Sequence, residues 1–364
     1  MNSAENNARW SGPFFWGILV SVAAVVVLIA AAMNYLVDPF DIYGNRYLPA
    51  SQLNNYRQKL ELFDKFQPPP SALILGSSRA MTCDPELVSE ITGERCFNFW
   101  LPGSGAETLY AVMNVVGEES DVPINLVIVG VGVETVHPAL PIQPEARYIP
   151  RIARWFVHDP HGRATTLERI GLLFTMDQTI RSAGVVYSVL RGRAVRQTSE
   201  AGMPRLDYRD DGYAVQAQAE AQLAAGTFDL DAKIEARLRR RRFTEQGLVV
   251  SGWTGPSETR KRYWEEFLNL CRERNVRVYA FMTPAHPRLW SLLQELDAGP
   301  VYREVSDYFN RTVTEMGGTF RDYTLLESFG GDPQLFYDEM HMRKPNCDEL
   351  IRNLLASYER SGTK

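Results

Sequence analysis

Between Ser11 and Val37 the chain runs 27 residues without a charge, SGPFFWGILVSVAAVVVLIAAAMNYLV. A helix rises about 1.5 Å per residue, so about 20 residues cross a hydrocarbon core roughly 30 Å thick, and the run is long enough to span one. Trp10 and Trp16 near one end and Tyr35 near the other suit the two membrane–water interfaces. Two readings stay open, an uncleaved anchor or a cleaved signal peptide with Ala30–Ala32 as its small-residue site. Signal cores usually hold about 7–15 apolar residues. The longer run here makes residues 1–37 an expected single-pass anchor in the cytoplasmic membrane. Both readings export the rest of the chain, and Arg9 favours a cytoplasmic N-terminus, which places the remainder on the periplasmic or extracellular side.

The rest is globular in composition: of 364 residues, 45% are hydrophobic and 23% charged. That length suits one large α/β domain with an insertion, or two smaller domains. A net charge of -5 lacks the basic footprint of a nucleic-acid binder, so no nucleic-acid partner is expected. Cys83, Cys96, Cys271 and Cys347 form no CxxC pair, which argues against a zinc site. Disulfides and free thiols are both open.

Residues 38–70 read as a collar: the turn-rich DPFDIYGNRYLPA, then a helical stretch, NNYRQKLELFDKF, ended by Pro68–Pro70. A strand follows at Ala72–Leu75, and Asp84-Pro85 predicts a helix over Glu86–Ile91. Cys96–Phe99 reads as a second strand. Ser104 and Glu107 have capping-box spacing before TLYAVMNVV, and Asn125–Val131 reads as a strand buried on both faces. This β-α-β-α-β rhythm predicts a doubly wound parallel sheet. It pauses over 138–247, which shows helical stretches, polar loops and no strong strand, and is read as a helical insertion or cap. It resumes with a helix in SETRKRYWEEFLNLCRERN, a strand at Val276–Met282, two helices, a strand near Thr319–Tyr323, and a helix from Cys347 to Tyr358 capped by Asn346. The α/β domain is thus expected over 71–137 and 248–364.

Loops at the carboxyl ends of parallel strands gather functional residues. Gly76-Ser77-Ser78, Pro102-Gly103-Ser104 and Gly130–Glu134 all lie at such ends, and Asp338 and His341 stand three residues apart in LFYDEMHMRKPN. A nucleophilic serine needs a base, and the base needs an orienting acid. Asp338 and His341 can present both from a single loop.

These blocks resemble the SGNH (GDSL-like) hydrolase superfamily. Its members carry a serine in a G-D-S or G-S-S turn after the first strand, a glycine after the second that lends its N–H to an oxyanion hole, and D-x-x-H before the last helix. LILGSSRAM, NFWLPGSG and FYDEMH match in that order. The resemblance implies a three-layer α/β fold, a triad of Ser78, His341 and Asp338, and an oxyanion hole from the N–H groups of Ser78 and Gly103, with no cofactor or metal. It spans about 71–358 apart from the insertion. The third block of the family reads Gly-x-Asn, whereas VIVGVGVET here has no asparagine. With the anchor, the chain is similar to membrane-anchored modifiers of surface polymers, namely the D-alanine transfer protein of teichoic acid systems and the alginate O-acetylation proteins. The likeness implies a serine esterase or O-acyltransferase, acetyl favoured, with an acylated or acyl-accepting glycan as substrate and a polytopic membrane acyltransferase as neighbour. A different class of reading is a non-catalytic binding or assembly component of a polysaccharide export or modification system, built on the same fold.

Plainer roles stand beside these. Ser77 is short enough to bond within its turn, and Gly103 suits a positive φ. Arg79 fits a structural pair with a carboxylate before an anionic-substrate contact. His158 and His161, in VHDPHG, read as surface residues before metal ligands, and His137 and His286 either line the cleft mouth or cap their loops. The run RLRRRR, Arg237–Arg242, reads as a solvated helix face, or as an attractor of acidic polysaccharide or anionic lipid.

Overall fold

A glycine closes the first strand because two strands meet there too closely for any side chain. In the computed structural model of the protein, a Cβ on Gly76 would lie 2.7 Å from the carbonyl oxygen of Gly130, its register partner, and Gly76 has φ +142°. The structure describes residues 12–45, 47–119, 122–159, 161–195, 197, 206–243 and 252–358, without the side chains of 12, 13, 119 and 240–243. Arg9 and Trp10 therefore lie outside the described residues, as do the Arg240–Arg242 side chains.

In chain order the elements begin with α1 (Gly12–Val37), α2 (Asn55–Lys65), β1 (Ala72–Gly76), α3 (Pro85–Thr92), β2 (Cys96–Asn98), α4 (Ala106–Glu119) and β3 (Leu126–Val131). Next come α5 (Val133–Val136), α6 (Pro144–Arg147), α7 (Pro150–Ala153), α8 (Thr166–Leu172), α9 (Met176–Leu190), β4 (Asp207–Tyr208), β5 (Ala214–Val215), α10 (Ala217–Ala224) and α11 (Leu230–Phe243). The chain finishes with α12 (Glu258–Glu273), β6 (Arg277–Met282), α13 (Pro287–Glu295), α14 (Gly299–Glu315), β7 (Thr319–Asp322) and α15 (Lys344–Leu354).

The fold is α/β. Five parallel strands form one central sheet in the order β2-β1-β3-β6-β7. Every residue of β1 and β3 is buried, which explains their unbroken apolar composition. Alternate residues feed two separate cores. Leu73, Leu75, Val127 and Val129 pack with residues of α4, α12 and α14, whereas Ala72, Ile74, Leu126 and Ile128 pack with residues of α3 and α15. At α3 the expected cap forms, with the Asp84 side chain accepting from the Glu86 N–H and Pro85 in the first turn.

Three local expectations fail, each for a tertiary reason. Ser104 and Glu107 make no capping box. The Ser104 hydroxyl donates to the Leu101 carbonyl, and Glu107 Oε1 takes Arg260 at 3.1 Å inside the core, with burial pushing its carboxyl up. Asn346 does not cap the last helix. Arg343 is the cap residue, Pro345 sits in the first turn, and Asn346 ties down the preceding loop through the Asp332 N–H and the Asp332 and Leu335 carbonyls. The region 138–247 does contain strands, since β4 and β5 pair antiparallel. Buried Lys59 fastens that hairpin to the end of β2, donating to the carbonyls of Asn98 and Gly212 between the rings of Trp100 and Tyr208.

Two compact units cut across the expected segments. One holds residues 1–54 and 164–202, the other 55–163 and 203–364. The expected insertion is therefore divided. Residues 164–202 group with α1 because α9 packs against it, while the parts on either side belong with the sheet. Within the first unit α1 is long and apolar enough to cross a membrane, and Phe14, Trp16 and Val20 stand more than half exposed on it at 58%, 62% and 64%. All four cysteines are free and buried.

Candidate active site

The turn after β1 is a single 3-10 turn, Ser78–Ala80, and the two serines part company in it. Ser77 is buried and accepts from the Arg79 N–H at 3.4 Å, a turn-forming role. Ser78 is half-buried with its hydroxyl free to meet a partner on another element, and Ser78 Oγ lies 2.9 Å from His341 Nε2. These residues are 263 positions apart in the chain.

The loop carrying His341 is a closed hairpin. Phe336 and Met342 form an isolated bridge, the Tyr337 N–H donates to the His341 carbonyl, and the Arg343 N–H donates to Leu335. Thr82, just past the serine turn, donates to the Met342 carbonyl at 2.9 Å, so the serine segment and the histidine loop are bonded one residue from the imidazole. Lys344 adds an ion pair to Asp84 at 2.8 Å.

Asp338 folds back over its own loop. Its Oδ1 accepts from the N–H groups of Met340 and His341, both at 2.9 Å, an Asx-type turn. Its carboxylate meets His341 Nδ1 at 2.9 Å and 2.8 Å. An ionised carboxylate only accepts, so Nδ1 carries the proton and the Nε2 lone pair faces the serine hydroxyl. Burial pushes the Asp338 carboxyl up, but the imidazole beside it and the Arg237 guanidinium outweigh that and hold it well below the usual carboxylate range. Ser78, His341 and Asp338 are thus brought together in one hydrogen-bonded chain.

Arg237 was legible only as part of a basic run. The structure sets its guanidinium 3.1 Å from Asp338 Oδ2 and 3.5 Å from Glu339, so one arginine of the run, still partly exposed, pairs with the acid of this chain. Arg79 is structural, as its plainer reading had it. It donates to the Thr283 and Pro284 carbonyls at 2.8 and 2.6 Å and pairs with Glu134 at 3.5 Å, joining the ends of β1, β3 and β6.

Gly103 stands on an exposed loop brought alongside the serine turn by the Leu101 N–H, which donates to Gly76 at 3.0 Å. It has φ +58°, and a Cβ there would lie 2.2 Å from Gln143 Nε2. Gly103 therefore admits the Gln143 amide at van der Waals range, a neighbour the sequence pattern did not reveal. The segment where an asparagine is missing instead offers Glu134, which Arg79 occupies.

The remaining histidines serve elsewhere. His286 Nδ1 accepts from the Arg288 N–H and caps α13, and His137 Nδ1 accepts from the Ala139 N–H. His158 bonds Glu266 at 2.8 Å, and His161 is exposed on the same loop, where both line a cavity with Glu107, Arg260 and Tyr263. Among the described residues, no group of three or more His, Cys, Asp or Glu side chains is arranged to hold a metal ion. No family model and no curated protein matches the chain.

Proposed function

We propose that the protein is a membrane-anchored serine esterase or O-acyltransferase of the SGNH-like, three-layer type, acting outside the cytoplasmic membrane on a cell-surface or exported polysaccharide. The observation that carries the chemistry is the continuous chain from Ser78 Oγ through His341 to Asp338, with contacts of 2.9 and 2.8 Å. The strand order β2-β1-β3-β6-β7 and the separate cores fed by alternate strand residues support the fold assignment. The glycan substrate and the polytopic acyltransferase neighbour rest on the likeness of the sequence blocks alone.

In this mechanism His341 Nε2 takes the proton of Ser78 as Oγ bonds to the ester carbonyl carbon. Asp338 holds the imidazole by Nδ1 and balances the charge it gains. As the tetrahedral species collapses, the ester C–O bond breaks and the proton passes from Nε2 to the departing alkoxide. A sugar hydroxyl or water then accepts the acyl group by the same steps in reverse. The N–H groups of Ser78 and Gly103 face the oxyanion in this scheme, and the Gln143 amide, packed beside Gly103, is the candidate for the donor that the absent asparagine would have given.

The test is labelling of the full-length protein by a fluorophosphonate probe. The parent labels and Ser78→Ala does not. An unlabelled but folded parent rejects acyl chemistry and leaves the binding or assembly role.

A further inference from the structure

Helix α9 is built inside out for a surface helix in water. The side chains it buries are Gln178, Ser182 and Val185, at i, i+4 and i+7. Met176, Ile180, Tyr187 and Leu190 line the opposite side and are 73%, 63%, 53% and 80% exposed. At about 100° per residue these four fall on one stripe, roughly antipodal to the buried three. An aqueous helix presents the reverse arrangement. The apolar surface continues along α8, where Leu167 is 80% exposed, and through Phe174 at 50%.

Continuity identifies what covers this surface. The α8–α9 pair belongs to the same compact unit as α1, the helix apolar enough to cross a bilayer. Asn34 of α1 donates to the Leu173 carbonyl at 2.8 Å and to Thr179 Oγ1 at 2.9 Å, the kind of polar contact that holds helices together in lipid. On α1 the buried side chains are Ala31, Asn34 and Val37, all in its last two turns. The contact is therefore made at one end of α1, at the boundary of a bilayer that α1 spans. With 15 residues, α9 is about 22 Å long, too short to span a core of roughly 30 Å. Exposed Arg191 and Arg193 supply charge for anionic headgroups, while Arg181 pairs with Asp177 on the same helix.

We infer that α8 and α9 form an interfacial membrane element, lying in the plane of the leaflet at the C-terminal end of α1 with the stripe of Met176, Ile180, Tyr187 and Leu190 in the acyl boundary. The occupant of the surface is an anionic lipid leaflet. This inference rests on α1 spanning the bilayer and is independent of the acyl chemistry at Ser78.

The test uses the full chain reconstituted in vesicles of phosphatidylcholine and phosphatidylglycerol. A nitroxide is attached at Ile180→Cys, Leu190→Cys or Leu167→Cys, with Val26→Cys on α1 and Glu273→Cys on α12 as references. The native thiols are all buried and stay silent. Labels on the α8–α9 stripe lose collisions with a water-soluble nickel complex and retain them with oxygen, as the Val26 label does. Nickel collisions equal to those at Glu273 overturn the proposal in favour of a solvated helix. Loss of both kinds of collision overturns it in favour of a protein partner. Nickel access at Val26 overturns it by removing the bilayer from α1, and fluorophosphonate labelling at Ser78 is unaffected by that outcome.

Discussion

Helices α9 and α12 are nearly equal in length, 15 and 16 residues, and each packs one face against protein. They face opposite ways. Helix α12 buries Tyr263, Trp264, Phe267, Leu268 and Cys271 and turns Arg262, Glu265 and Glu273 outward. Helix α9 buries Gln178 and Ser182 and turns Ile180 and Leu190 outward. The hydrophobic effect puts apolar surface wherever water is absent. For α12 that place is the core of the sheet unit, whereas the apolar stripe of α9 is left exposed. With α8 and α9 in a leaflet, as inferred above, the two compact units would have different surroundings.

The largest test of that division is Ser78→Ala in the sheet unit. On p-nitrophenyl acetate it lowers kcat by about 10^6-fold, the scale seen when a serine nucleophile is lost. Ile180→Ser with Leu190→Ser in the anchor unit leaves kcat in detergent unchanged. A loss of activity in the second variant would break the separation.

Stability gives the next contrast. Trp264 is fully buried, stacks on Phe267 and donates to Thr312 at 2.9 Å, so Trp264→Ala costs about 3–5 kcal/mol. Ile180→Ala, on the outward stripe, changes unfolding in detergent by no more than about 0.5 kcal/mol. Equal losses in chemical denaturation would mean that the α9 stripe is a protein core after all.

Within the sheet unit, Gln143→Ala sharpens the oxyanion assignment. It lowers kcat about 10^2-fold if the amide is the third donor, with KM little changed. An unchanged kcat removes Gln143 from the mechanism.

The smallest effect is one of pH. Asp338 has a folded carboxyl held below its ordinary value, so its ionised form stabilises the fold. That contribution is complete above the unfolded value of about 4 and fades as pH falls from there toward the lowered folded one. The urea midpoint of the parent therefore drops as pH goes below about 4, and Asp338→Asn shows a shallower drop. No stripe substitution in α9 alters this acid limb.

Much of the sheet was readable one residue at a time. Ala72–Leu75 and the apolar residues after Asn125 read as strands buried on both faces, Val276–Met282 reads as a strand in spite of Arg277, and Asp84-Pro85 caps its helix as local chemistry requires. The same local logic failed at Ser104 and Glu107 because Arg260, 153 residues away from Glu107, supplies a stronger partner for the carboxylate. It failed at Asn346 because a neighbouring loop needed the amide more than the helix did. It left Arg237 in a charge run because nothing in RLRRRR shows that one guanidinium meets Asp338.

The sequence alone determined where backbone and water conflict: an uncharged helix, the all-apolar strands β1 and β3, and Gly-Ser-Ser at the close of the first strand. These follow from solvation and local sterics, which act over a few residues. The resemblance of the sequence blocks already pointed to Ser78; only the tertiary structure decided that its hydroxyl meets the imidazole, which amide stands beside Gly103 and which side of α9 is left bare. Those outcomes depend on distances between residues far apart in the chain, and short-range chemistry carries no information about such distances.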